Sequence, residues 1–89
     1  MTDRFRGKVR YFRPETASGL AVIDIPEEVT ARLGGLKQMR VRGVLNGAKF
    51  TSNTMPAGGG MLALSVSKKL LGEAKLGVGD SAQVEIERI

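Results

Sequence analysis

The chain has 89 residues, of which 42% are hydrophobic, and 14 Lys and Arg stand against 9 Asp and Glu for a formal net charge of +5. That suffices for one small core in one domain, whereas a disordered chain would be poorer in hydrophobic residues and more charged. The absence of Cys excludes disulfides and thiolate metal sites, and the absence of His removes the commonest general base and metal ligand near neutral pH.

The opening MTDRFRGK carries charge where a signal peptide needs an apolar stretch. No apolar run approaches the ~20 residues that span a bilayer. A soluble, cytoplasmic chain with no membrane partner is expected. With Phe5, Phe12, Phe50 and Tyr11 as the only aromatics, the core must be mainly aliphatic.

Residues 4–12, RFRGKVRYF, alternate. Phe5, Val9 and Tyr11 point one way and Arg6, Lys8 and Arg10 the other, the period of a half-buried strand. RPETASG (13–19) reads as a loop, and LAVIDI (20–25) as an apolar strand deep in a barrel or sheet. Pro26 suits a first helical position, with Glu27 and Glu28 in the first turn. Val29 and Leu33 share a face of that short helix, which Gly34 and Gly35 end.

QMRVRGVL (38–45) alternates again, and Asn46-Gly47 is the strongest two-residue hairpin signal. Counting back from that turn pairs Leu45 with Ala48 and Gly43 with Phe50, where a bare glycine lets the ring lie across the backbone. AKFTSN (48–53) is the returning strand, PAGGG (56–60) a glycine turn and MLALSV (61–66) another strand. SKKLLGEAKLG reads as a short helix capped by Ser67, with Lys68 and Lys69 placed badly against its dipole. A turn at GVGD, with Gly79 and Asp80, leads to a last alternating strand, AQVEIERI.

GLAVIDIPEEVTARLGGLKQMRVRGVL and GMLALSVSKKLLGEAKLGVGDSAQVEI follow one order: glycine, apolar strand, short helix, glycine turn, alternating strand. With one further strand before each, the half-repeats run from about 4–45 and 46–89. The expected fold is mainly β, with α+β content: a small closed six-stranded barrel with two short helices and a pseudo-two-fold strand-strand-helix-strand repeat. The alternative is an open α+β sheet. Two such units close a barrel without a partner, so a monomer suffices.

LNGAKFTSNTMP followed by GGGMLALSVSKKLLGEAKLGVGDSAQVEIE resembles the bacterial domain-of-unknown-function family nineteen-oh-five. The shared pattern is a glycine-led hairpin, a Thr-Ser pair and a proline. A glycine, an apolar strand, a basic helix start, Gly-Asp and a Val-rich last strand complete it. The likeness is clearest over residues 43–87. The Gly79-Asp80 turn also resembles the glycine-aspartate box of cradle-loop and double-psi barrels, which implies such a barrel. Where the family tends to carry Trp ahead of the Thr-Ser pair this chain has Phe50, so no role needing an indole carries over. Family members occur alone or ahead of a bacteriocin-protection type domain, and the resemblance implies no assigned activity.

The candidate chemistry is sparse. A phosphate loop needs glycines leading straight into a helix, whereas Gly58, Gly59 and Gly60 lead into a strand. They read as a turn. Ser65 and Lys68 match a Ser-x-x-Lys spacing by chance, without companion motifs. Asp24 is expected to bond nearby backbone N–H groups and Asp80 to fix its own turn.

The basic residues remain. Arg4, Arg6, Lys8 and Arg10 share one strand face, and Arg40 and Arg42 another. They are the candidate contacts to nucleic acid or another anion. The alternative is a solvated face cross-paired with Glu85 and Glu87. The resulting expectation is a non-catalytic binding or interaction module without cofactor or metal. Its partner, a protein or small ligand, would sit at turns 13–19 and 53–60. Nucleic-acid binding through the basic faces, and a small-molecule-binding or self-protection role, are the alternatives.

Overall fold

In the computed structural model, which describes residues 2–13 and 19–89, the chain runs β1 (Asp3–Tyr11), β2 (Ala21–Ile25), α1 (Glu27–Leu33), β3 (Arg40–Leu45), β4 (Ala48–Gly58), β5 (Met61–Val66), α2 (Lys68–Glu73) and β6 (Ser81–Arg88). The strands form a closed barrel in the order β1-β2-β5-β4-β3-β6. Every neighbouring pair is antiparallel. Closure leaves no long exposed edge on strands this apolar.

Alternation decides which side chains fill the barrel. Phe5 and Val9, Ile23 and Ile25, Val41 and Leu45, Leu62 and Leu64, and Val84 and Ile86 all belong to one buried cluster. Each such aliphatic side chain contributes roughly 1.5–3 kcal/mol on leaving water. Val29 and Leu33 of α1 and Leu70 and Leu71 of α2 join the same cluster. Tyr11, expected in the core, is only half-buried at the tip of β1.

The registers carry the internal symmetry. Ile23 pairs with Leu64, and moving every β2 residue 41 positions along the chain lands on β5 and returns the same pairing. The same shift relates β3 to β6 about Val44 and Glu85. Val9 faces Ile23 as Thr54 faces Leu64, which sets β1 and β4 45 positions apart. Even single bonds repeat: Val9 N–H donates to Asp80 O at 2.9 Å, and Thr54 N–H to Met39 O at 2.8 Å.

Several local expectations are corrected. β4 does not stop near residue 53 but continues to Gly58, so most of the expected 53–60 contact loop is strand. Pro56 is tolerated because β3 ends its pairing with β4 at Asn53, leaving that edge without a ladder, and the register shifts between Pro56 and Gly58. Of the other expected contact loop, residues 14–18 lie outside the described residues. Pro26 flanks α1 in an extended conformation (φ −57°, ψ 150°) instead of opening it. α2 ends by Ala74 rather than running to Gly77, with Lys75 at φ 58°.

Gly58, Gly59 and Gly60 have φ of 84°, 61° and 78°, the left-handed region that glycine enters without strain. They turn the chain from β4 into β5. Gly43 does pair with Phe50 and Leu45 with Ala48. The reason for Gly43 is different, however: a Cβ there would overlap the backbone carbonyl of Glu85 on β6, and it is this strand that demands the glycine.

Candidate functional site

The six basic residues singled out in the sequence sit on strands β1 and β3, which flank β6 in the barrel. They lie on the outer face, opposite the buried positions. The acidic strand therefore runs between them. Arg4 lies directly opposite Glu85 and donates from Nε to its Oε1 at 3.1 Å. Arg42 lies opposite Glu87 and donates from Nε at 2.9 Å. Glu87 thus serves β3, not the first strand. Arg6, Lys8 and Arg40 have no carboxylate partner among the described residues. A continuous basic face is not formed, because two carboxylates interrupt it.

Asp24 departs from expectation. Instead of bonding backbone N–H groups it accepts from Arg10, Nε to Oδ2 at 2.8 Å and Nη2 to Oδ1 at 2.7 Å. Arg10 also donates from Nη1 to Tyr11 O at 3.2 Å. The hydrogen bond to Asp24 raises the Arg10 pKa further above the ordinary arginine value, against the opposing effect of burial.

The turn residues have structural work. Asp80 Oδ2 accepts from Gly77 N–H at 2.8 Å, as expected of a carboxylate fixing its own turn. Gly79 N–H donates to Val9 O at 2.8 Å and ties that turn to β1. Asn46 (φ 46°) and Gly47 (φ 87°) form the hairpin, and Asn46 Oδ1 accepts from Gln83 N–H at 2.8 Å.

Among the concave surfaces of the described residues, one of ≈ 630 Å³ is bordered by Thr2, Asp3, Arg32, Leu33 and Arg88, and β4 lines two others. One, of ≈ 590 Å³, lies over the outer face of β3, β4 and β6, between Arg42, Lys49, Glu85 and Glu87. The other, of ≈ 320 Å³, lies between β4, β5 and α2, with Leu20 at its side. Lys49, Phe50 and Thr51 border each groove. Ser52, Ser65, Ser67, Lys69 and Glu73 complete the polar lining of the smaller one. Ser52 Oγ donates to Ser65 O at 2.6 Å, and Ser67 Oγ accepts from Leu70 N–H at 3.1 Å as the cap of α2.

Apart from Arg42, these lining residues were not singled out as a site by the sequence, although two signals were present. Thr51-Ser52 is the Thr-Ser pair of the family pattern, and Lys69 is one of two lysines placed at a helix start where cations are disfavoured. No group of three or more carboxylates that could hold a metal ion occurs among the described residues. No helix of the described residues is long and apolar enough to cross a membrane.

Against known proteins, residues 5–86 match the family model described as Domain of unknown function (DUF1905). None of the curated proteins matches the chain.

Proposed function

The chain belongs to the DUF1905 family, and from that premise we propose that it is a non-catalytic binding module that receives its ligand in the grooves beside β4. One observation carries this reading: the segment Lys49–Thr51, part of the family pattern, borders both concave surfaces. Loops and clefts on a rigid scaffold commonly carry recognition. A closed barrel supplies that rigidity.

Four of the carboxylates, though not Glu73 of the smaller groove, support binding over catalysis. Asp24, Glu85 and Glu87 are each held by an arginine, and Asp80 is held by its own turn. Acid–base work needs carboxylates free to change protonation beside a substrate. Contact with nucleic acid is the weaker reading, since Arg6, Lys8 and Arg40, without a carboxylate partner among the described residues, are split by β6 and its carboxylates.

A test is amide chemical-shift mapping against a panel of small carboxylates, phosphates, amides and amines and a short DNA duplex. Shifts concentrated on residues 49–52, with every compound recovered unchanged, are expected. Turnover of any panel member, or shifts confined to Arg6, Lys8 and Arg40 with the duplex alone, would overturn the reading.

A further inference from the structure

The two-fold relation places every residue of the smaller groove opposite a counterpart in the other half of the chain. Phe50, Ser52, Ser65, Lys69 and Glu73 correspond to Phe5, Gly7, Asp24, Glu28 and Arg32 by the shifts that relate the strands. The counterpart position is closed at Phe5 and Gly7, although a hollow of ≈ 630 Å³ opens beside it at Asp3, Arg32, Leu33 and Arg88. Phe5 is 8% exposed and belongs to the core, and a methyl of Ile23 fills the space beside Gly7. Two of its charged groups are engaged, Asp24 with Arg10 and Arg32 with Asp3, while Glu28 is exposed.

In the groove those features are reversed. Phe50 is only half-buried, and Leu20 beside it is 40% exposed. Carboxylates at positions 24 and 28 are replaced by the hydroxyl of Ser65 and the ammonium of Lys69. Lys49 corresponds to Arg4, but where Arg4 faces Glu85, Lys49 faces Val44. Lys49 and Lys69 form no ion pair, and the hydroxyls of Thr51 and Ser65 have no partner among the described residues. Barrel geometry does not require this set, because the same barrel holds together without it in its other half.

The lining therefore offers two ammonium groups and two uncommitted hydroxyls against one carboxylate, Glu73, over an apolar floor of Phe50, Val66 and Leu70. The larger groove differs: Arg42 and Lys49 are balanced by Glu85 and Glu87, and both carboxylates are already bound by arginines. A volume of ≈ 320 Å³ stands at the small end of ligand pockets, roughly 300–1,000 Å³. Resting on the binding-module reading, we infer that this groove takes a small ligand with one anionic group on a short apolar body. The anion meets Lys49, Lys69 and the hydroxyls through charge-assisted hydrogen bonds, and the apolar body lies on Phe50 beside Leu20.

Three probes of equal length separate the alternatives: hexanoate, hexanamide and hexylammonium, each titrated into the full chain and followed by amide shifts. Hexanoate is expected to saturate shifts at residues 49–52 and 65–70, with hexanamide about ten-fold weaker or more and hexylammonium silent. Lys69→Glu, which installs the charge carried at Glu28, removes the preference for hexanoate. Lys49→Gln weakens it while the remaining spectrum is unchanged. Equal binding of hexanoate and hexanamide in the groove overturns the anionic class but leaves the module reading standing. Silence of the groove towards hexanoate overturns the inference, and silence towards all three probes counts against the module as well.

Discussion

Arg10 holds both carboxylate oxygens of Asp24 diagonally across β1 and β2, at 2.8 and 2.7 Å. The side chains are 34% and 39% exposed, so water screens the pair and its contribution is about 1 kcal/mol despite the two-pronged geometry. Asp24→Asn and Arg10→Lys are each expected to lower the thermal midpoint by about 4–8 °C, the scale of a 1 kcal/mol change in so small a domain. Unchanged midpoints would show the pair to be energetically idle. The sign of the pH effect also follows. A raised arginine pKa stabilises the fold fully below the ordinary arginine value and is lost only as pH rises through the still higher folded value. Arg10 therefore imposes no pH dependence between neutrality and pH about 10.

Gly43 is the tightest point of the barrel wall. A Cβ there meets the Glu85 carbonyl of the neighbouring strand, and backbone cannot swing aside as a side chain can. Gly43→Ala is expected to cost about 3 kcal/mol or more, the scale of overpacking within a core. Ala at Gly60, where no atom lies within 4 Å, costs only the strain of its positive φ, about 1–2 kcal/mol. Urea unfolding of both variants gives the comparison, and equal midpoints would contradict it.

Thr54 is fully buried, yet its hydroxyl is satisfied on both sides. It donates to Lys37 O at 3.1 Å and accepts from Met39 N–H at 3.1 Å. Thr54→Val keeps the shape but strands two backbone groups, so a loss of about 1–3 kcal/mol is expected. Thr54→Ser retains the hydroxyl and loses only a methyl, about 1 kcal/mol. If Val were better tolerated than Ser, packing rather than hydrogen bonding would govern the position.

The barrel was legible because its local signals agree with one another. Alternation in RFRGKVRYF marks β1, and Asn46-Gly47 sets the β3–β4 register to the residue. The length of β4 was hidden, since Pro56 and the glycines after it look like loop in sequence. Only the barrel shows that β4 has lost one neighbour by that point. The partner of Asp24 was hidden for another reason: which cation reaches it depends on the β1–β2 register, which nothing local specifies. The grooves were the least legible. Lys49 and Lys69 stand 20 positions apart, and they line one surface only because α2 returns over β4 and β5.

The most direct test of the groove is a crystal structure of the chain soaked with 4-bromobenzoate, with the bromine located by its anomalous signal. The account predicts the carboxylate between Lys49 and Lys69, the ring on Phe50, and the bromine towards Leu20. Bromine found instead over the Arg42–Glu87 face, or occupied groove sites with the carboxylate turned away from both lysines, would contradict it.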